Sequence, residues 1–257
     1  TGGIVAVGYA GQPCDYAALR SIARRHSLAF VADACHALGA RDGQRPVGGL
    51  ADLSTFSLHP VKPITSGEGG MITTDDANLA QRMRQFRNHG FNRDHHRRAE
   101  LGSWHYEMTE LGYNYRLTDF QAALGISQLT RLDGWIARRQ EIARQYDRAL
   151  ADVSGVRPLR TRDGVSHGRH LYVVRLDVDR AKAFTALRDA GIGVGVHYVP
   201  VHLHPFYRRR FGTATGDCPV AEAAYRQILS LPIFPAMSDA DVGRVIEAVC
   251  AVCPMKP

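Results

Sequence analysis

The order of apolar segments near the start of the chain most constrains its fold. Residues 4–9 and 28–32 are short apolar runs typical of buried strands, and Asp15 between them can cap a helix that reaches about residue 26. A strand, a helix and a strand in this order predict an α/β fold with a mainly parallel, doubly wound sheet. Further elements are expected as strands at residues 53–58 and 70–74 and as a helix at residues 76–88.

The second half of the chain has a different pattern. Thr118 and Gln121 form a capping-box pattern at the start of a helix that reaches about residue 132, and a long amphipathic helix follows at residues 134–150. Later elements are expected as strands at residues 171–176 and 193–198 and as helices at residues 180–190, 218–227 and 239–252.

This change of pattern predicts two domains. Residues 1–133 are expected to form the later part of a large domain, and residues 134–257 a smaller C-terminal α+β domain that includes its linking helix. The chain enters a strand within a few residues of Thr1, so we expect an incomplete large domain and a longer parent protein. The polar segment 89–117 is too long for a simple connection and is expected to be functional.

Composition excludes several classes of protein. The 257 residues are 45% hydrophobic, which suffices for sizeable cores, and the net charge of +7 suits an anionic partner. The basic residues are spread along the chain, so we expect no nucleic-acid-binding arm. No apolar run of membrane-spanning length and no signal peptide is visible, and five scattered cysteines indicate reduced thiols without a metal site. These features predict a cytoplasmic protein with no membrane partner.

One lysine has an unusual setting. Lys62 lies between Pro60 and Pro63, after an apolar stretch that includes Ser57, and a glycine-rich turn follows it. Asp33, upstream, ends a predicted strand. Each feature has an ordinary alternative, as a surface charge, a helix cap or a hairpin turn. Their joint occurrence favours a site for pyridoxal phosphate (PLP), in which a lysine closes a Schiff base with the aldehyde and an aspartate pairs with the pyridinium nitrogen.

Four stretches together resemble the sugar-nucleotide aminotransferases of the DegT type, which share fold type I of the PLP-dependent transferases. The stretches are residues 31–39, 57–70, 111–119 and 197–202, and the resemblance covers essentially the whole chain. A closer similarity, to the branch of the family that acts in pseudaminic acid biosynthesis, rests on residues 59–65, 111–117 and 229–235. The resemblance implies an incomplete large PLP-binding domain and a smaller C-terminal domain.

The resemblance also implies roles for individual residues. Lys62 matches the lysine that bonds to the cofactor, and Asp33 matches the partner of the pyridinium nitrogen. His36 falls where the family has a residue near the ring oxygen, although a structural histidine is the alternative. Ser57 matches a serine that binds the cofactor phosphate. Asn114 matches an asparagine that reaches the phosphate of the neighbouring subunit's cofactor, which implies a homodimer with shared sites.

Three further residues are expected on the substrate side of the site. His59 lies in the same segment as Lys62. Tyr198 and His202 lie in a segment that lines the substrate side in relatives, although an aromatic and a histidine on a strand could equally belong to a core.

The activity implied by the resemblance is a two-stage transamination. An amino-acid donor, glutamate in most relatives, gives its amino group to the cofactor while the freed Lys62 moves the proton. The amino group then passes to C4 of a nucleotide-linked 4-keto-6-deoxy sugar. The expected substrate is a UDP-linked N-acetylated hexosulose used in surface or flagellar glycans.

Two alternatives stay open at this point. One is a PLP-dependent sugar dehydratase of the same fold, but relatives that dehydrate have a histidine at the position of Lys62. The other is a non-catalytic or degenerate member of the fold, which the retained Asp33, Ser57 and Asn114 disfavour. The segment that supplies part of the phosphate pocket in the family is missing, so the isolated chain is expected to bind PLP weakly and to be inactive.

Overall fold

The computed structural model describes residues 1–92, 99 and 102–253. These residues form two compact units. The first comprises Thr1–Gly8 and Pro13–Leu132, and the second comprises Tyr9–Gln12 together with the chain from Asp133 onward. The division near residue 132 lies next to the predicted one, whereas the membership of Tyr9–Gln12 in the second unit was not anticipated.

The first unit is built around a four-stranded sheet. In chain order the elements are β1 (Gly3–Val7), α1 (Tyr16–Arg25), β2 (Ala29–Asp33), β3 (Arg41–Asp42), β4 (Arg45–Pro46), β5 (Leu53–Ser57), β6 (Gly70–Thr73), α2 (Ala77–Phe86), β7 (Phe91–Asn92), β8 (Glu107–Met108) and α3 (Asp119–Leu129). In the sheet, β2 pairs in parallel with β1 and with β5, and β6 pairs antiparallel with β5, so the spatial order is β1-β2-β5-β6 and the predicted, mainly parallel sheet is confirmed.

Local sequence explains where the helices of this unit begin. The Asp15 carboxylate accepts a hydrogen bond from the Ala18 N–H at 3.0 Å and caps α1, as predicted. The side chain of Thr118 caps α3 in a reciprocal arrangement with Gln121, which confirms the capping box. Helix α1 buries Tyr16 in the core of the first unit, where its ring lies 6.1 Å from that of Phe30 in β2.

The second unit has its own core. Its elements are α4 (Leu132–Leu150), β9 (Val156–Pro158), β10 (Val165–Ser166), β11 (Tyr172–Leu176), α5 (Arg180–Asp189), α6 (Pro205–Phe211), α7 (Pro219–Gln227), β12 (Ile228–Leu231) and α8 (Asp239–Val252), with 3-10 turns at Tyr9–Gly11 and Val201–Leu203. Strands β9, β11 and β12 form an antiparallel sheet with β11 in the middle. The largest apolar cluster of the unit packs Ile142, Val174, Leu229 and Val242 together, all with 1% exposure or less.

The predicted strand at residues 193–198 is wrong. Within this segment only Gly195 pairs with a strand, through two backbone hydrogen bonds to Ser230 of β12. The carbonyl of His197 is satisfied by a side chain instead, because the Tyr9 hydroxyl donates to it at 2.5 Å. Gly193 and Gly195 weaken this segment as a strand. The strand that pairs with β11 is β12, which the sequence did not predict.

The polar segment expected to be functional, residues 89–117, is only partly described. Residues 93–98, 100 and 101 lie outside the described residues.

Within the described part of the chain, no helix has the length and apolarity needed to cross a membrane.

The core of the second unit can be tested with a matched pair of valines. Val242 in α8 is fully buried, whereas Val220 in α7 is 83% exposed. The change Val242→Ala should lower the free energy of unfolding by about 2 to 3 kcal/mol, because it removes buried apolar volume and leaves a cavity. Val220→Ala, also in a helix, should change it by less than about 0.5 kcal/mol. Urea unfolding of both variants measures the difference, and equal losses would contradict this core.

Candidate functional site

Lys62 lies on a loop that its own hydrogen bonds hold in place. The loop joins β5 to β6 and is closed at Leu58, whose N–H donates to the Gly69 carbonyl at 2.9 Å and whose carbonyl accepts from the Ser66 N–H at 3.0 Å. Inside the loop, the Lys62 N–H donates to the His59 carbonyl at 3.0 Å, which makes a tight turn. The flanking prolines fix the backbone on both sides of the lysine, as the sequence predicted.

The amine of Lys62 is half-buried close to two acidic groups. Burial lowers the pKa of Lys62, while the nearby Cys35 and Asp33 side chains raise it by smaller amounts. The structure therefore brings together Lys62 and Asp33, which lie far apart in the sequence. Because desolvation is the larger effect, more of the amine is neutral and nucleophilic than in a solvated lysine.

Asp33 lies at the carboxyl end of β2, where ligand sites of parallel sheets are expected. It pairs in register with Thr55 of the neighbouring strand β5. Its carboxylate oxygen Oδ1 accepts a hydrogen bond from the Cys35 N–H at 3.1 Å. This bond, to the residue two positions later, holds the carboxylate at the strand end.

Cys35 is a neighbour of the lysine that sequence reasoning missed. Its Sγ lies 3.8 Å from the Thr55 carbonyl oxygen and 3.9 Å from the Thr55 hydroxyl oxygen. Burial, followed by the effects of Asp33, raises the pKa of the Cys35 thiol to about 11. In the sequence, Cys35 is one of five scattered cysteines. The sequence signal for this contact is an Asp at a strand end, because its carboxylate can accept a hydrogen bond from the N–H two residues later.

Three other predicted residues lie in the same unit. His36 is buried, with 8% exposure, which fits both a cofactor neighbour and a structural histidine. The hydroxyl of Ser57, at the end of β5, accepts a hydrogen bond from the His59 N–H at 3.3 Å. The exposed His59 ring has its Nε2 atom 3.7 Å from Oε1 of Glu68.

Asn114 is exposed in an irregular segment of the first unit. It forms an isolated antiparallel bridge with Asn88, after helix α2. Its neighbours Tyr113 and Tyr115 stack on each other, with ring centroids 4.9 Å apart and an angle of 9° between the planes. The role expected for Asn114, contact with the cofactor phosphate of a neighbouring subunit, stays a prediction.

Tyr198 and His202 belong to the second unit. Tyr198 is 55% exposed and is therefore not a core residue. His202 lies in the 3-10 turn Val201–Leu203 and is mostly buried, with its Nε2 atom 2.9 Å from Oε1 of Glu222. Glu222 is a second residue that the sequence did not reveal, because 20 positions and a helix boundary separate it from the histidine.

The group in the first unit fits PLP. The cofactor needs an amine for its aldehyde, a carboxylate for its ring nitrogen and hydroxyl donors for its phosphate. Lys62 supplies an amine whose pKa burial lowers, and Asp33 supplies a fixed carboxylate within electrostatic reach of that amine. Ser57 supplies a hydroxyl at the end of the adjacent strand β5.

Thiol labelling can test the position of Cys35. A pKa of about 11 in place of 9.0 leaves about 100-fold less thiolate at pH 8, so Cys35 should react with iodoacetamide far more slowly than the exposed Cys218. Asp33→Asn should speed up the reaction of Cys35, because it removes the carboxylate that raises the thiol pKa. Mass spectrometry follows both sites, with Cys218 as the internal control. Equal rates for the two cysteines in the native protein would contradict this geometry.

The sequence is similar to one protein family and to curated relatives. A model of the DegT/DnrJ/EryC1/StrS aminotransferase family matches residues 1–250. The chain is 42% identical over 256 residues to the spore coat polysaccharide biosynthesis protein SpsC of Bacillus subtilis. This match covers 97% of the chain and 66% of SpsC, so the chain spans about two thirds of the length of this relative.

Solved structures share the fold. PseC of Helicobacter pylori, an aminotransferase of pseudaminic acid biosynthesis, is 32% identical with a TM-score of 0.90, over 98% of the chain and 67% of PseC. The pyridoxamine phosphate (PMP) form of the putative sugar aminotransferase Spr1654 of Streptococcus pneumoniae is 31% identical with a TM-score of 0.92, over 98% of the chain and 69% of Spr1654. Spr1654 has also been solved in a PLP form. These matches confirm the predicted fold class, and the chain belongs to the DegT/DnrJ/EryC1/StrS aminotransferase family, whose members depend on PLP.

Proposed function

We propose that the protein is a PLP-dependent aminotransferase that transfers an amino group to C4 of a nucleotide-linked 4-keto-6-deoxy sugar. The observation that carries the proposal is the half-buried Lys62, whose pKa is lowered by burial beside Asp33 at the carboxyl end of a parallel strand. A lysine on a fixed loop in such a place is suited to covalent chemistry with a carbonyl compound.

The three lysines of the chain sharpen this proposal. They are Lys62, Lys182 and Lys256, so almost all of the 32 basic residues are arginines. Lys62 is the only lysine in the first unit. Because an arginine stays protonated, it does not act as an amine nucleophile. Lys62 is therefore the one side-chain amine of this unit that can bond to the cofactor aldehyde.

Each residue of the group has a proposed task. When bound, PLP supplies an electron sink that stabilises negative charge on the carbon that loses a proton. The neutral amine of Lys62 accepts that proton and returns it at the next position. Asp33 holds a proton on the cofactor's ring nitrogen, Ser57 donates to the phosphate, and His36 contacts the ring oxygen.

The substrate is proposed from chemistry and from the relatives. SpsC is a spore coat polysaccharide protein and PseC acts in pseudaminic acid biosynthesis. We extend this to a UDP-linked N-acetylated 4-keto-6-deoxy sugar as acceptor and glutamate as donor, for surface or flagellar glycans. The net charge of +7 suits a diphosphate-linked substrate. His59, Tyr198 and His202 are the residues proposed to contact the sugar.

A homodimer is the proposed assembly. Helix α3 exposes large apolar side chains and none of its residues is buried, with Phe120 91% exposed and Ile126 67% exposed. Such a surface favours an interface over contact with water. A second copy that covers this region would also allow the exposed Asn114 to reach the other subunit's cofactor phosphate. The five free thiols support the predicted cytoplasmic location.

The role of Lys62 is tested in the full-length protein. Incubated with PLP, the protein should show the absorbance band of the lysine-bound cofactor, and glutamate should convert it to the band of pyridoxamine phosphate. Lys62→Ala should lose the first band and lower turnover by roughly 10³-fold or more, because it removes both the covalent link and the proton carrier.

Lys182→Ala is the matched control, because this lysine is exposed on α5 and should leave the band unchanged. Borohydride reduction followed by peptide mass spectrometry should place the cofactor on Lys62. An unchanged response in Lys62→Ala, or no band in the wild type, would contradict the proposal. A sugar product that has lost oxygen without gaining nitrogen would identify a dehydratase.

Subunit mixing tests the shared site. Lys62→Ala and Asn114→Asp should each be poorly active, the second because a carboxylate would face the cofactor phosphate. A hybrid dimer of the two contains one site in which both residues are intact. Co-expression should therefore restore activity well above that of either variant. Activity no greater than the average of the two separate variants would contradict a site completed by Asn114 of the second subunit.

A further inference from the structure

A carboxylate in the second unit holds the imidazole of His202. The Nε2 atom of His202 lies 2.9 Å from Oε1 of Glu222, and both side chains are nearly buried, with exposures of 11% and 6%. The two residues belong to separate elements, the 3-10 turn Val201–Leu203 and the first turn of helix α7. A buried contact of this length between a ring nitrogen and a carboxylate is a charge-assisted hydrogen bond.

Glu222 is itself held by its surroundings. Its Oε1 atom also accepts a hydrogen bond from the Gly216 N–H at 2.8 Å. The hydrogen bonds from His202 and from Gly216 lower the pKa of Glu222, so the side chain is an ionised acceptor at neutral pH. The Thr213 hydroxyl donates to the His202 carbonyl at 2.7 Å, which fixes the backbone of the same turn. The ring therefore meets a carboxylate whose position is set independently of the histidine.

An ionised carboxylate accepts hydrogen bonds and donates none, so the Nε2 atom of His202 must carry the hydrogen. In the neutral imidazole this leaves Nδ1 as an acceptor. Among the described residues, Nδ1 of His202 makes no hydrogen bond, so its lone pair is available to a ligand. A carboxylate that selects the tautomer of a histidine in this way can decide whether the histidine functions.

We propose that Glu222 is a positioning residue that holds His202 with Nδ1 as a hydrogen-bond acceptor for a hydroxyl group of the sugar substrate. This inference rests on the proposed function, in which His202 contacts the sugar. It adds a residue that acts through His202 and a chemical requirement on the substrate, namely a hydroxyl donor. Glutamate has no hydroxyl group, so the first half-reaction should not use this contact.

The two half-reactions of the full-length protein separate this role from a structural one. Glu222→Ala should raise KM for a UDP-linked 4-keto-6-deoxy-N-acetylhexosamine by about tenfold or more, because the ring loses the partner that selects its tautomer. The rate at which glutamate converts bound PLP to pyridoxamine phosphate should stay within about twofold of wild type. Glu247→Ala, an exposed glutamate in the same unit, is the matched control and should change neither rate.

A conservative variant tests which property of Glu222 matters. In Glu222→Gln the amide oxygen can still accept from both His202 and Gly216, so KM for the sugar should stay within about threefold of wild type. A loss as large as that of Glu222→Ala would overturn the inference, because it would show that the negative charge is required. Equal damage to both half-reactions in Glu222→Ala would also overturn it, as would fully additive effects of Glu222→Ala and His202→Ala on the sugar half-reaction.

Nitrogen-15 NMR of the imidazole provides a measurement that needs no substrate and no folded Glu222→Ala variant. The wild-type ring should be the Nε2–H tautomer, and either an Nδ1–H tautomer or a doubly protonated ring would overturn the inference, because Nδ1 could then not accept. If glutamate produced no pyridoxamine phosphate in the wild type, the proposed function would fail, while the NMR result would still decide what Glu222 does to His202.

Discussion

The parallel pairing of β2 with β5 is the constraint on which the candidate site depends. The register places Asp33, at the carboxyl end of β2, opposite Thr55 in the middle of β5. Two consequences follow from that single alignment. Cys35, two residues past Asp33, meets the Thr55 carbonyl, and the chain that leaves β5 after Ser57 turns directly into the loop of Lys62. A shift of the register by one residue would turn the side chains of a whole strand to the other face and disperse this group.

Within the group, burial and charge act against each other on the same amine. Removal from water disfavours the ammonium form of Lys62, and the neighbouring Asp33 carboxylate favours it. Burial is the larger effect, so the amine is easier to deprotonate than a surface lysine while an acidic partner remains close. The same surroundings act in the opposite sense on Cys35, whose thiol is kept protonated and therefore does not compete as a nucleophile.

Sequence reasoning succeeded where the determining contacts are local. The caps at Asp15 and Thr118 involve residues within three positions, so their side chains can be read from the sequence. Lys62 and Asp33 are predicted as a pair because strand ends carry ligand sites and because their neighbours are unusual, and the structure places them close together, while their roles stay a prediction. The strand expected at residues 193–198 failed because pairing is a long-range property: Ser230 and Tyr9 decide how its backbone is satisfied. The contact of Glu222 with His202 was missed for the same reason.

Lysine is rare in this chain, so its positive charge comes mostly from a residue that does not react with aldehydes. An anionic substrate can be attracted by arginine as well as by lysine, but only lysine offers an amine that can bond to an aldehyde. Arginine provides nearly all of the positive charge, so the proposed function would attract phosphate groups without presenting many amines to an aldehyde cofactor. In the proposed function, covalent capture is directed to the position where burial lowers the pKa of the amine. In the first unit only Lys62 has such an amine. The arginines can therefore attract an anionic ligand, while a different residue, Lys62, is the one proposed to react with the cofactor.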